Sequence, residues 1–211
     1  VVLLIIIVMQ WAPTDDEVAL ALPRIFAGTA GVTGFLRGER SRMKLSAVAF
    51  DYDGTVASDG VLDPGVREAL GELRRKGIAT IVVTERILDD LRRVAGDLGF
   101  VDAVVAENGA VLHFPGPGVS SVVAWRFDGV FLVVLQSQGI AFTVGDRVVE
   151  AAASEAPKVV ALVQEMEAPL SLAFNRARLM ILPESVTKAT GLREALAVLR
   201  LSAHNTVGIG D

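Results

Sequence analysis

Ser46-Ala-Val-Ala-Phe50, followed directly by Asp51-Tyr-Asp-Gly-Thr55, is the stretch that decides the fold of this 211-residue sequence. The first five residues form a short apolar run without regular polar alternation, which is typical of a strand covered on both faces of a sheet. The next five place two carboxylates two residues apart where the chain leaves the strand, and Gly54 permits a tight turn there. Asp-x-Asp alone could be a turn whose acids cap the backbone. The strand before it and the Gly-Thr within it make the motif more specific.

Strand-like and helix-like segments alternate along the chain after this motif. Asp63-Pro64 predicts a helix start, because aspartate is a good N-cap and proline suits the first helical position, and Gly77 ends that helix. A strand over Ala79–Val83, a helix over 87–99 and a strand over Ala103–Ala106 follow. This spacing predicts a parallel sheet with right-handed crossovers, in which ligands gather at the carboxyl ends of the strands.

Polar residues stand at the predicted ends of the next strands. Thr84-Glu85-Arg86 follows the second strand and opens a helix, so its hydroxyl either contacts phosphate or simply caps the helix. Glu107-Asn108-Gly109 follows the third strand, in a turn that Asn-Gly favours by itself. Lys188 stands at the start of a later helix, where a lysine is by default a solvated cation. The segment 206–211 is predicted to be a last strand that ends in glycine and an acid, Asp211.

The composition excludes several functional classes. Hydrophobic residues make up 52% of the chain and the net charge is only -5, so the protein is not intrinsically disordered. The absence of cysteine from the sequence excludes a disulfide framework, a thiolate metal site and a cysteine nucleophile. An isoelectric point near 5.1 argues against nucleic-acid binding through bulk positive charge.

The amino end carries an unbroken apolar run over residues 1–9. This run is too short for a membrane span, which takes roughly 20 residues as a helix, and no basic segment precedes it as in a complete signal peptide. We interpret it as a buried strand, with the tail of a truncated membrane or signal segment as the alternative. Because the sequence starts without methionine and stops at Asp211, we expect both ends to be cut.

Taken together, the motifs at the strand ends resemble those of the haloacid dehalogenase superfamily, specifically its Mg-dependent phosphatases. The segment 51–55 is similar to the first motif, and Thr84 stands where the second-motif hydroxyl is found. Lys188 matches the third-motif lysine, and Gly210-Asp211 matches the start of the fourth motif. The resemblance covers residues 44–211 and implies an α/β fold, a Rossmann-like parallel-sheet core with an inserted α/β cap. This is the cap of the Cof-like and sucrose-phosphatase-like branch.

The resemblance also divides the chain. The expected parts are an amino-terminal extension of unclear role (1–43), the first part of the core (44–114), the cap (115–183) and the second, incomplete part of the core (184–211). Within the cap, the sequence predicts helices over 130–138 and 157–167, and strand-bearing stretches over 142–151 and 170–182.

By resemblance, Asp51 is the nucleophile that forms an aspartyl-phosphate. Asp53 then protonates the leaving group and later activates water. Gly54, Thr84 and Lys188 are expected to hold the phosphate, and Lys188 also offsets the repulsion between the nucleophile and its substrate.

The resemblance implies Mg²⁺ as cofactor, held by Asp51, the backbone carbonyl of Asp53 and Asp211. Substrate contacts are expected from four residues, two in the core and two in the cap: Arg86, Asn108, Asn175 and Arg176. Arg178 is a further cap candidate, although a solvated strand edge is the better explanation for any one of these cap residues.

One residue departs from the motif of this branch, because Glu85 stands where glycine is usual. A carboxylate beside an anion site would oppose phosphate binding, so we expect Glu85 to face solvent or to pair with Arg86. The predicted function is a cytoplasmic, Mg-dependent phosphatase that acts on a small phosphorylated metabolite, with a sugar phosphate as the leading class and no nucleic-acid or membrane partner. The alternatives are a phosphomutase of the same superfamily and a catalytically impaired or non-enzymatic module.

Overall fold

The computed structural model describes residues 45–58, 60–175 and 177–210. The predicted amino-terminal extension, together with Arg176 and Asp211, therefore lies outside the described residues. The strands are β1 (Ala47–Asp51), β2 (Ala57–Ser58), β3 (Val61–Leu62), β4 (Ala79–Val83), β5 (Ala103–Ala106), β6 (Val111–Phe114), β7 (Val119–Val122), β8 (Phe142–Val144), β9 (Val149–Ala152), β10 (Leu170–Asn175), β11 (Arg178–Pro183) and β12 (Thr206–Ile209). The α-helices are α1 (Pro64–Arg75), α2 (Leu88–Ala95), α3 (Gly129–Ser137), α4 (Ala156–Glu165) and α5 (Lys188–Val198).

The core is built on a six-stranded sheet in the order β12-β1-β4-β5-β6-β7. The strands β12, β1, β4 and β5 run parallel to one another, as their apolar sequences and intervening helices predict. The residues 47–50 of the central strand β1 are at most 3% exposed, because both faces of the sheet are covered. The predicted α/β fold with a mainly parallel sheet is confirmed.

The first core helix has the ends that its sequence predicts. Asp63 accepts hydrogen bonds from the backbone N–H groups of Gly65 and Val66, which satisfies donors that a helix start leaves unpaired. Leu70 is fully buried against the sheet, and Gly77 with φ +75° leads the chain away after the helix.

The second core helix is shorter than predicted. The apolar spacing indicates a helix over 87–99, whereas α2 ends at Ala95. Gly96 adopts φ +71°, a backbone conformation that glycine tolerates and that breaks the helical path. The apolar period continues past the helix because Leu98 is buried from an irregular segment, so the pattern overestimates the length of the helix.

The cap consists of a four-stranded antiparallel sheet in the order β10-β11-β9-β8, covered by α3 and α4. Both predicted cap helices are present, and the strands match the predicted stretches, with β9 and β11 each ending one residue beyond them. The cap has its own apolar core, in which Leu135, Val159 and Leu179 are fully buried.

The strand β7 lies within the range 115–183 that the sequence assigns to the cap, yet it pairs with β6 in the central sheet. The two strands are antiparallel and are joined by a turn over 115–118, so they extend the edge of the core sheet as a hairpin. Within the described ranges, no helix is long and apolar enough to cross a membrane.

Candidate active site

A cavity of about 510 Å³ lies at the carboxyl ends of the parallel strands, beneath the cap. Its lining comes from both parts of the molecule: Asp51, Asp53, Thr84, Glu85, Arg86 and Lys188 from the core, and Glu150, Phe174, Asn175, Ala177 and Arg178 from the cap. Seven of the residues predicted from the sequence, with Arg178 among them, therefore line one cavity.

The chain geometry at the first motif explains why its two acids lie on one side. Tyr52, the residue between Asp51 and Asp53, is fully buried, and its hydroxyl donates a hydrogen bond of 2.9 Å to the Gly60 carbonyl. Burial raises the pKa of the Tyr52 hydroxyl above its ordinary value, and Arg86 partly offsets this effect. Successive side chains of an extended segment point in opposite directions, so burial of Tyr52 directs both acids to the cavity.

Lys188 holds the first acid of the motif. Its ammonium lies 2.9 Å from an Asp51 oxygen and 3.2 Å from a Glu85 oxygen. Thr187 and Thr190 form a capping box that begins α5, which places Lys188 in the first helical position facing the cavity. Burial lowers the pKa of Lys188, but the two carboxylates outweigh burial and the net pKa is raised.

The prediction for Glu85 was wrong, since this carboxylate neither faces only solvent nor pairs with Arg86. It pairs with Lys188 instead, with 28% of its side chain exposed. Arg86 is not free to pair with Glu85 because two other carboxylates hold its guanidinium group.

Arg86 binds the carboxylate of Asp53, the second acid of the motif. Its Nε and Nη2 atoms donate to the two oxygens of Asp53 at 2.6 and 2.7 Å, and Nη1 donates to Asp90 at 2.6 Å. The hydrogen bond with Asp53 is the main reason that the pKa of Arg86 is raised, since burial alone would lower it. This bidentate geometry is the one that arginine favours with carboxylates.

Thr84 is almost fully buried at the end of β4, and its hydroxyl accepts a hydrogen bond of 3.1 Å from the Arg86 backbone N–H. The sequence predicts that this threonine opens a helix, but α2 begins only at Leu88 and its N-cap position, Ile87, makes no side-chain cap. The hydroxyl therefore caps a turn at the site, and the helix terminus contributes nothing to Thr84.

Two residues that are predicted to contact a ligand, Gly54 and Asn108, do not line the cavity. The Gly54 N–H donates 2.9 Å to the Ala57 carbonyl within its own loop, and Gly54 does not line the cavity. Asn108 also lies outside the lining, because its backbone N–H donates to the Thr84 carbonyl at 3.1 Å and φ is +55°. Both residues shape loops beside the site, and their predicted contacts with phosphate and substrate stay predictions.

The sequence model of the haloacid dehalogenase-like hydrolases matches residues 48–118, which carry the first and second motifs. The resemblance to the haloacid dehalogenase superfamily is confirmed. No curated protein matches the sequence closely enough to count as a relative.

Solved structures share the haloacid dehalogenase fold with this chain at low identity. A haloacid dehalogenase-like hydrolase from Bacteroides thetaiotaomicron has a TM-score of 0.66 at 13% identity, with 80% of this chain and 82% of that chain covered. One from B. subtilis has a TM-score of 0.62 at 16% identity and coverage of 76% and 81%. A subclass IIB sugar phosphatase of the superfamily has a TM-score of 0.57 at 16% identity and coverage of 76% and 78%. The family match supports a hydrolase of the haloacid dehalogenase-like type, and these neighbours show the same fold.

The donors expected for a metal in a haloacid dehalogenase core are hard oxygen atoms. The Asp51 carboxylate and the backbone carbonyl of Asp53 are of this kind, and they suit Mg²⁺. Gly210 follows β12 beside the first of them, since a Cβ atom built there would lie 3.3 Å from the Asp51 Cβ atom. Among residues 45–58, 60–175 and 177–210, no three acidic or histidine side chains form a metal cluster, and the third expected ligand, Asp211, lies outside these ranges.

Sequence reasoning missed three cap residues of the cavity, Glu150, Phe174 and Ala177. Glu150 is on β9, its side chain is 13% exposed, and it accepts a hydrogen bond of 3.2 Å from Arg178. Burial raises its pKa, with Arg178 acting in the opposite direction. Buried Val149 and Ala151 on either side show by alternation that Glu150 faces away from the cap core. The sequence carries no signal that this face covers the cavity.

Proposed function

We propose that the protein is a Mg²⁺-dependent phosphatase that hydrolyses a small phosphorylated metabolite, with sugar phosphates as the leading class, through an aspartyl-phosphate on Asp51. The observation that carries this proposal is the contact of 2.9 Å between Asp51 and Lys188 in a cavity that also contains Asp53 and Thr84. A local cation beside the nucleophile lets an acidic protein attract a phosphate, because the field at the site is set by nearby charges.

In the first step, an Asp51 oxygen attacks phosphorus and the bond from phosphorus to the leaving oxygen breaks. The leaving oxygen takes a proton from Asp53. Lys188 is within reach of the phosphoryl oxygens because it already contacts Asp51, and it would neutralise charge that develops there. The Thr84 hydroxyl is a second donor for these oxygens.

In the second step, Asp53 takes a proton from water, the water oxygen bonds to phosphorus, and the bond from Asp51 to phosphorus breaks. Inorganic phosphate leaves and Asp51 is restored. Arg86 holds both Asp53 oxygens in this structure, so each proton transfer at Asp53 competes with these hydrogen bonds. Arg86 therefore acts on the acid-base residue, and it also lines the cavity in which the substrate would bind.

Mg²⁺ fits the oxygen donors of the site, and Asp51, the Asp53 carbonyl and Asp211 would hold it. When bound, the ion supplies positive charge beside the transferring phosphoryl group. The cap residues Asn175 and Arg178 line the cavity and, together with Arg176, would contact the leaving group of the substrate. A sugar phosphatase among the neighbours supports the substrate class, and a small-metabolite substrate fits a cytoplasmic location.

A phosphatase assay tests the proposal directly. Wild type should hydrolyse p-nitrophenyl phosphate and members of a sugar phosphate panel when Mg²⁺ is present, and chelation of Mg²⁺ should abolish turnover. Asp51→Asn should lower kcat by roughly 10³-fold or more, since it removes the nucleophile. Asp63→Asn is the matched control, because asparagine caps a helix as well as aspartate and Asp63 lies at α1 outside the cavity. Equal rates for wild type and Asp51→Asn would overturn the assignment.

A further inference from the structure

Glu107 is a fully buried acid at the end of β5 whose carboxylate leaves the core and contacts the cap. Its two oxygens accept backbone hydrogen bonds from Asp146 and Arg147, at 2.9 and 2.7 Å. Both donors belong to the turn over 145–148 that joins β8 to β9 of the cap, which we name the cap turn. Burial raises the pKa of Glu107, while the two backbone donors act to lower it. The cap turn is thus bound by a core carboxylate.

The cap turn fits this carboxylate closely. A Cβ atom built on Gly145 would lie 2.8 Å from the Glu107 Cδ and Oε1 atoms, so a side chain at that position would push the carboxylate away. An apolar contact lies beside it, where Ile87 of the core packs with Val148 and Met180 of the cap in one buried cluster. The cap therefore contacts the core through the hydrogen bonds to Glu107 and through this apolar cluster.

The backbone of the same residue holds the phosphate-binding loop, Thr84 to Arg86. The Glu107 N–H donates to the Arg86 carbonyl at 2.9 Å, and the Asn108 N–H donates to the Thr84 carbonyl at 3.1 Å. Glu107 and Asn108 have φ values of +53° and +55°, a left-handed backbone that costs free energy at each non-glycine residue. Such strain persists only where surrounding contacts compensate it.

The next residue of the turn contacts the helix that carries Lys188. A Cβ atom on Gly109 would lie 2.1 Å from the Thr187 carbonyl oxygen, so the turn packs directly on the start of α5. Through its backbone and side chains, the turn over 107–109 therefore contacts the cap, the phosphate-binding loop and α5, the helix that carries Lys188.

We propose that Glu107 is a positioning residue that couples docking of the cap to the placement of Thr84 and Arg86; this rests on the proposed function of that loop. With the cap turn docked, the two N–H groups stabilise the buried carboxylate and with it the strained backbone that binds the loop. With the cap turn undocked, the carboxylate loses these two donors and keeps only the Leu88 backbone N–H of the core, so the strained turn loses part of its compensation. Contacts between a substrate and the cap would thus organise the phosphate-binding loop.

Hydrogen exchange of the full-length chain tests this coupling without reference to activity. Gly145→Ala perturbs the contact from the cap side without substituting Glu107. Exchange of the Asp146 and Arg147 amides should accelerate by about tenfold, and the amides of Thr84 and Arg86 should accelerate with them. Gly129→Ala is the matched control in the cap, because a Cβ atom there meets nothing within 4 Å, and it should change neither group. Faster exchange confined to the cap turn would overturn the proposal.

Kinetics supplies the second measurement. Gly145→Ala and Glu107→Gln should each lower kcat by about tenfold with little change in KM, since they misplace the loop rather than remove a binding contact. The double variant should be no slower than the slower single variant, because both changes break one contact. Multiplicative losses, or full activity in Gly145→Ala, would contradict the coupling. If wild type hydrolyses no phosphate ester, the proposed function fails, and the exchange result still decides the coupling.

Discussion

At the scale of single residues, two cations each hold two carboxylates in the resting site. Lys188 contacts Asp51 and Glu85, and Arg86 contacts Asp53 and Asp90. A phosphate that enters the cavity must compete with Asp51 for Lys188, and proton transfer at Asp53 must compete with Arg86. Both cations are therefore paired before substrate arrives, each with two carboxylates, and the site reacts by exchanging partners among groups already present.

Substitution of Arg86 tests the second of these pairs. Arg86→Lys keeps the positive charge, but one ammonium cannot bind both oxygens of Asp53 and also Asp90. We expect kcat/KM to fall about tenfold, equivalent to one hydrogen bond of roughly 1.4 kcal/mol. Arg92→Lys is the control, because Arg92 pairs with Asp89 at side-chain exposures of 42% and 87%, where a surface ion pair contributes little. Unchanged kcat/KM in Arg86→Lys would show that bidentate binding of Asp53 is dispensable.

Substitution of Gly109 tests the close contact between its turn and α5. Gly109→Ala places a Cβ atom 2.1 Å from the Thr187 carbonyl oxygen at φ +107°. We expect the free energy of unfolding to fall by roughly 2–4 kcal/mol from strain and overpacking, measured by urea denaturation. Gly71→Ala is the control inside α1, where a Cβ atom meets nothing within 4 Å, and it should raise stability by about 0.5–1 kcal/mol. A tolerated alanine at 109 would contradict the described packing.

At the scale of secondary-structure elements, most of the core could be predicted from the sequence because local chemistry determines it. Strand β4 and strand β5 have the predicted bounds, since apolar β-branched runs between turn residues leave little choice. The end of α2 was missed because Leu98 extends the apolar period beyond the helix, although Gly96 was a signal that could have corrected it. The partner of Glu85 could not be predicted, because it depends on a lysine far along the chain.

The turn after β5 makes the free energy of unfolding depend on pH. Burial raises the pKa of Glu107 in the folded state above the ordinary 4.5, so the folded protein keeps a proton that the unfolded chain has lost. This contribution to stability is complete below about pH 4.5 and is lost as pH rises through the folded-state pKa. We therefore expect the free energy of unfolding of wild type, relative to Glu107→Gln, to fall with rising pH. Urea denaturation of both proteins, from below pH 4.5 upward, measures this difference in the free energy of unfolding. A free energy of unfolding that rises with pH in wild type relative to Glu107→Gln would contradict the assignment.

At the scale of the whole molecule, the core and the cap each have an apolar interior, and the cavity lies between them. The sequence predicts the first, second and third motifs at one edge of the core sheet because the carboxyl ends of parallel strands meet there. It could not predict which face of the cap sheet covers the cavity. Alternation along β9 distinguishes two faces, but only docking of the cap decides that Glu150 lies over the core motifs.

The proposed mechanism requires that Asp51 carries the phosphoryl group during turnover. Acid quenching during hydrolysis of p-nitrophenyl phosphate with Mg²⁺, followed by peptide mass spectrometry, measures it most directly. We predict one phosphoryl group on Asp51 in wild type and none in Asp51→Asn. The modified form should accumulate in Asp53→Asn, because p-nitrophenolate leaves without a proton while attack by water needs the missing base. Mg²⁺-dependent turnover with no phosphoryl group on Asp51 would contradict the account.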